Sequence, residues 1–210
     1  IVLDTANVNF DALGFNNTVG RQDVKLGSGF IVDNQMNGIA SKIGDLTLFA
    51  GNVTTSTKLP DMNGATAWNR AYGAEYSTKI GEAKFTADYL KNTTSNDNFY
   101  GVGTSFRVTN GLMANAEYVK NNEQDATAKA YGLKLDKVGL SATYRDVEPG
   151  ALTAYSGLNA TTTNFYDVMS VDGFKGMEYQ YDHNLDKNAV LTVKYQDFEQ
   201  QNGNKLDGRT

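Results

Sequence analysis

The chain has 210 residues, one histidine, no cysteine and a formal net charge of -5 at pH 7. That composition excludes disulfides, zinc-thiolate centres and thiol nucleophiles, and an acidic chain without a basic run lacks the surface that nucleic acid needs. No stretch approaches the roughly eighteen consecutive apolar residues of a membrane helix, a test that strands with one face on a lumen escape.

Taken in chain order, the sequence alternates apolar and polar residues over segments of about nine to eleven residues, separated by turn signals. Strand centres fall near Val8 and Asp23, with a tight turn predicted over Gly14-Phe15-Asn16-Asn17 between them. A polar stretch at 27–35 leads to a strand near Ile39, a turn at Gly44-Asp45 and a strand near Leu48. The segment 54–67 reads as a long loop before strands near Tyr72 and Ala87, joined at Gly81-Glu82. A loop at 92–98 precedes strands near Thr104 and Ala116, joined at Asn110-Gly111. After a loop at 121–125 come strands near Leu133 and Ala142, joined at Val138-Gly139. The longest loop, 147–172, precedes strands near Met177 and Val193, with a turn over Asn184-Leu185-Asp186-Lys187-Asn188. Tight turns and long polar loops therefore alternate, as in a barrel whose hairpins are short on one side of a membrane and long on the other.

The parity never slips in Phe85-Thr86-Ala87-Asp88-Tyr89, in the run Leu112 to Tyr118 or in Leu191-Thr192-Val193-Lys194-Tyr195, so each strand has one greasy and one wet face. With 21 glycines, 12 tyrosines and 2 prolines, the composition suits long hydrogen-bonded strands, tight turns and aromatic girdles. The fold expected is all-β: a transmembrane antiparallel β-barrel. Open aqueous channels use about sixteen to eighteen strands. The twelve or so strands visible here therefore imply part of a barrel of about sixteen, one domain over 1–210 that is incomplete at both ends. The polar tail 205–210 is expected to add no aromatic terminal strand.

The segment Gly20-Arg21-Gln22-Asp23-Val24-Lys25-Leu26-Gly27, followed by Asp33 to Gly38 and Leu46-Thr47-Leu48-Phe49-Ala50-Gly51, resembles bacterial outer-membrane porins. The nearest likeness is to the major porins of diderm Firmicutes that carry an S-layer-homology domain. The resemblance implies a trimeric general-diffusion channel that also reaches the cell wall through an N-terminal domain absent from these residues. Its partners would be outer-membrane lipid and lipopolysaccharide, small hydrophilic solutes and ions, and two further copies of the chain.

If the apolar parity faces lipid, the other parity lists the pore wall. It carries Arg21, Asp23 and Lys25; Glu75 and Lys79; Lys84 and Asp88; Arg107; Glu117; Lys134; Arg145; Glu178 and Asp182; and Lys194. Water in a channel lets so many charges point inward, where a dry core would impose several kcal/mol of desolvation on each unpaired one. Opposed basic and acidic patches would orient dipolar solutes and set an ion preference. The stretch 27–35 holds Phe30, Ile31 and Val32, odd residues for a solvated loop; with Asp33 they form a candidate constriction. The longer loops 54–67 and 147–172 are rival candidates.

Other constellations carry less. His183 lies beside a predicted turn and lacks the partners of a catalytic base, so no enzyme is expected. Gly101-Val102-Gly103 sits on a strand without the helix and third glycine of a dinucleotide fingerprint. Loop acids such as Asp97, Glu123 and Asp125 match no calcium-loop spacing, and no cofactor or metal is implied. Trp68, Tyr72, Tyr76, Tyr89, Tyr100, Tyr118, Tyr131, Tyr144, Tyr179 and Tyr195 share the outward parity, as a girdle requires. Gln22, Ala114 and Ala116 on that parity are candidates for a subunit interface. Two other readings of the whole chain compete: a barrel that chiefly tethers the envelope, and a soluble all-β binding module.

Overall fold

A computed structural model describes residues 5–54, 69–152, 173–187, 189–203 and 205–209. Thirteen strands form one sheet in which every strand pairs antiparallel with its sequence neighbours. They are β1 (Ala6–Ala12), β2 (Phe15–Leu26), β3 (Val32–Ile43), β4 (Leu46–Thr54), β5 (Asn69–Ile80), β6 (Ala83–Asn92), β7 (Asn98–Thr109), β8 (Leu112–Asn121), β9 (Ala126–Leu135), β10 (Leu140–Val147), β11 (Phe174–Asp186), β12 (Ala189–Gln200) and β13 (Lys205–Arg209). A ten-residue strand at about 3.3 Å per residue, tilted by about 45°, rises roughly 23 Å, the height of the apolar band of a membrane barrel.

Each of the twelve strand centres read from the sequence lies inside a strand, because period-2 patterning follows directly from the pleat. The differences sit at the ends. The first turn is Leu13-Gly14 alone, both residues having positive φ (56° and 80°), so Asn16 and Asn17 already belong to β2. The 27–35 segment is a single 3-10 turn, Gly27–Gly29, with β3 starting at Val32. At the last tight turn β11 continues to Asp186 through a register shift between Asn184 and Asp186. The tail forms β13 against β12 because its backbone completes a ladder whatever its side chains. Loops 54–67 and 147–172, with Trp68 and Asp61, lie almost wholly outside the described residues.

The sheet is curled. Seven interstrand steps of about 4.8 Å would set β3 roughly 34 Å from β10 in a flat sheet, yet the Arg145 guanidinium on β10 lies 5.9 Å from the ring centroid of Phe30, just ahead of β3. A row of glycines, Gly20, Gly38 and Gly51, runs in register across β2, β3 and β4. A Cβ built on Gly38 would stand 2.6 Å from the Gly51 Cα, and one on Gly51 2.8 Å from the Gly38 Cα. Only side-chain-free residues permit that closeness on the inward side of the sheet.

Beyond the row, the tip of the β2–β3 hairpin leaves the wall and crosses the interior. Leu26, Phe30, Ile31, Val32 and Met36 are buried there with Val53, Leu90, Phe99, Val119, Val147, Phe174 and Phe198 from the loop-side ends of the other strands. This is the apolar core, and it fills the end of the sheet nearer the long loops. The tip is closed by Phe30 N–H donating to the Gly27 carbonyl at 2.6 Å and Ile31 N–H to the Leu26 carbonyl at 3.3 Å.

Candidate solute channel

The register decides which side chains share a face. Glu75 pairs with Asp88 and Lys79 with Lys84; Lys84 pairs with Ser105 and Asp88 with Gly101; Glu117 pairs with Gly103 and Arg107 with Met113. Further round, Lys134 pairs with Met113 and Glu117 with Ala130, and Ala130 pairs with Arg145 and Gly132 with Thr143. Thr143 pairs with Glu178, and Glu178 pairs with Gln196, Gln180 with Lys194 and Asp182 with Thr192. Eleven of the charged positions read from the sequence thus lie on one continuous face of β5 to β12. The hairpin tip touches that face, so it is the concave one. The other face carries exposed Tyr72, Tyr76, Phe85, Tyr100, Val102, Phe106, Tyr131, Leu133, Tyr179, Val193 and Tyr195, an apolar band suited to lipid.

Accessibility changes along the inner face. Lys79, Lys84, Arg107 and Lys134, towards the tight turns, are exposed to the interior space. As β6 climbs towards the loops, Thr86, Asp88 and Leu90 fall to 8%, 6% and 2% exposure. The hairpin causes this. A Cβ built on Gly27 would lie 2.5 Å from Glu117 Oε1, and one on Gly101 would lie 2.8 Å from Ile31 Cδ1 and 3.3 Å from the Asp88 Cβ. The missing side chain of Gly101 is what seats Ile31 against the wall.

Further round the same face lies the best-connected charge cluster. The Arg145 guanidinium donates to Glu178 Oε1 at 3.1 Å and Gln196 Nε2 donates to Glu178 Oε2 at 2.7 Å, while Lys194 Nζ stands 3.9 Å from the same Oε2. One carboxylate therefore serves two cations, and with the Phe30 ring beside Arg145 the patch is net positive. Lower on β11, Asp182 accepts from Gln180 at 2.9 Å and from the Thr192 hydroxyl at 2.8 Å. Glu75 and Asp88 on β5 and β6 and Glu117 on β8 lie on the same inner face, Glu117 standing two strands from Arg145 through Ala130 on β9. The face thus carries an acidic patch beside a basic one, both against the hairpin tip, an arrangement that can sort ions and align dipoles.

Three expected pore residues lie on the β2–β3 hairpin and not on the wall of β5 to β12. Arg21, Asp23 and Lys25 share the register face of Val19 and Ile39, whereas Gln22, Val24 and Leu26 point to the buried side. Gln22 is buried, donating to the Thr18 carbonyl at 3.1 Å, and so is not on the outward face where a subunit contact was expected. The reason is the glycine row: the apolar parity of this hairpin packs against the interior core instead of lipid. Its polar face holds the Lys25–Asp33 ion pair at 2.8 Å and the contact of Arg21 with Gln35. Of the candidate constriction, Phe30 and Ile31 reach the inner wall, while Asp33 lies on the hairpin's other face. Sequence reasoning missed the Gly20–Gly38–Gly51 row. Three glycines at equivalent inward positions of successive strands were the available signal.

No family model matches the chain, and no curated protein matches it. Among solved structures it is similar to OpdQ of Pseudomonas aeruginosa, at 12% identity and a TM-score of 0.54, over 98% of this chain and 78% of that one. OccK9 (OpdG) of the same organism is also similar, at 12% identity, a TM-score of 0.47, and 96% and 72% coverage. Both are outer-membrane porins, and neither bears on the narrower likeness to the wall-anchored porins of Firmicutes. The likeness to OpdQ agrees with the register and curl of the sheet: the fold is that of an outer-membrane β-barrel porin.

Proposed function

We propose that the protein is a passive channel of the bacterial outer membrane, carrying small hydrophilic solutes and ions through a water-filled lumen that the β2–β3 hairpin constricts. One observation carries this reading: a charged face continuous through β5 to β12 is wet towards the tight turns and meets an inserted hairpin towards the loops, while its reverse carries a band of exposed apolar and tyrosine side chains. A barrel that served only as an anchor has no use for a hydrated, charged interior with a built-in narrowing. The pore wall is formed by Glu75, Lys79, Lys84, Asp88, Arg107, Glu117, Lys134, Arg145, Glu178, Asp182 and Lys194. The polar side of the hairpin, with Asp23, Lys25 and Asp33, completes it. Solutes pass without covalent change.

Single-channel recording in a planar bilayer tests the reading. Ohmic steps whose size rises linearly with salt are expected, and closures grouped in threes would report the trimer that the sequence resemblance implies. Folded, inserted protein that conducts nothing would overturn it.

A further inference from the structure

Beneath the hairpin tip two carboxylates lean towards each other over β7. Asp88 on β6 pairs with Gly101 and Glu117 on β8 pairs with Gly103, so β7 puts no side chain between them. A Cβ built on Gly101 would lie 3.4 Å from Asp88 Oδ2, and one on Gly103 would lie 3.9 Å from Glu117 Cγ and 2.6 Å from Thr86 Oγ1. Gly27 at the tip covers the same space: its Cβ would stand 2.5 Å from Glu117 Oε1, and its backbone is a near neighbour of Asp88. Asp88 is 6% exposed, and both of its oxygens and Glu117 Oε1 are buried without a hydrogen-bond partner. Beside Glu117 the wall leaves a cavity of about 40 Å³ whose lining includes Lys84, Thr86, Gly103, Ser105 and Asn115. Glu75 adds a third carboxylate next to Asp88. The nearest cations are Lys84, Lys25 and Arg145. Lys25 is bound to Asp33 and Arg145 to Glu178, and none of the three donates to those buried oxygens.

We infer that Asp88 and Glu117 hold a hydrated divalent cation, Mg²⁺ or Ca²⁺, which pins the hairpin tip to the wall. The site rests on the seat of the tip alone; its effect on current rests on the channel reading above. Buried charges are paired or coordinate a metal, and two carboxylates match the charge of one divalent ion. Among the described residues no three acidic or histidine side chains converge as a metal-holding group. The ion therefore keeps part of its water shell, as Mg²⁺ does when one or two carboxylates bind it. The adjoining cavity has room for that water, since roughly 10–15 Å³ suffices for one molecule, and the Thr86 and Ser105 hydroxyls and the Asn115 amide line it. Glycine at 27, 101 and 103 keeps the space between the carboxylates clear, where a side chain at any of the three would enter it.

Protein refolded into detergent, free of lipopolysaccharide and treated with EDTA, is titrated with MgCl₂ and with CaCl₂ in an isothermal calorimeter. One saturable site per chain is expected for at least one of the two ions. Asp88→Asn/Glu117→Gln should weaken it at least tenfold, whereas Glu123→Gln/Asp125→Asn, which removes two exposed loop acids, should weaken it less than twofold. If the first variant lacks heat-modifiable migration, Asp88→Asn alone is expected to lose at least threefold. In bilayers of neutral lipid the saturating ion should lower the open-channel noise of the parent and leave that of Asp88→Asn/Glu117→Gln unchanged. No saturable binding by the folded parent, or affinity within twofold of the parent for a folded Asp88→Asn/Glu117→Gln protein, overturns the site. Binding that the loop-acid variant abolishes overturns it too, as the mark of an adventitious ion only, and binding without any change in noise overturns the pin. Current from the parent separates the two proposals: conduction without saturable binding sinks the site alone, and binding without conduction sinks the channel alone.

Discussion

Ile31, at the tip of the β2–β3 hairpin, occupies the space in front of Gly101 on β7, where a Cβ would stand 2.8 Å from its Cδ1. A backbone position without a side chain on one strand thus fixes how deeply a hairpin from another part of the sheet penetrates the lumen.

Gly101→Val fills that seat. The tip must shift, and overpacking of this kind costs about 1–3 kcal/mol. Single-channel conductance should change by more than a fifth and open-channel noise should rise, while Gly103→Ala, whose Cβ meets the movable Thr86 hydroxyl at 2.6 Å, should alter conductance less. Equal conductance in Gly101→Val and parent channels would show that the tip does not border the path.

Arg107→Glu/Arg145→Glu removes two positive charges from the wall and adds two negative ones. Cation preference should rise, read as a shift of the reversal potential towards the cation equilibrium value across a tenfold salt gradient, larger at low ionic strength because screening is weaker there. An unmoved reversal potential would discard the transverse-field account of the lumen. Glu178→Gln should shift it the opposite way, since Arg145 and Lys194 lose their shared counter-charge.

Gly38→Val cannot be accommodated, because its Cβ would collide with the Ala50 carbonyl and the Gly51 Cα on the neighbouring strand. Refolding into detergent should yield no heat-modifiable species. Gly44→Ala, at a turn with open space but φ of 56°, should fold and lose only about 1–2 kcal/mol. A Gly38→Val protein that folds and conducts normally would remove the glycine row from the explanation of the hairpin's path.

Leu13 is a 96% exposed residue held at φ of 56°, ahead of a glycine also at positive φ. Leu13→Asn creates the Asn-Gly pair favoured by such turns and should stabilise the protein by about 0.5–1 kcal/mol. The urea midpoint of folding into lipid vesicles would move up; a fall would mean that the leucine's contact with lipid outweighs its backbone strain.

The sequence by itself determined the strands, their faces and most of their turns. Alternation such as Phe85 to Tyr89 is a local consequence of the pleat, and turn residues such as Gly44-Asp45 and Gly81-Glu82 act through their own dihedral angles. It therefore also named most of the inward charges, from Glu75 to Lys194. What it could not hold was the path of the β2–β3 hairpin. Parity says only that two sets of side chains point opposite ways, and it labels one of them lipid-facing on the premise that the strand stays in the wall. The Gly20–Gly38–Gly51 row lifts the hairpin out of the wall, so Gln22, Val24 and Leu26 meet the interior core and Arg21, Asp23 and Lys25 take the other side. That exchange is tertiary: it depends on residues on three strands aligning through the register, and on Gly101, far along the chain, leaving room for Ile31.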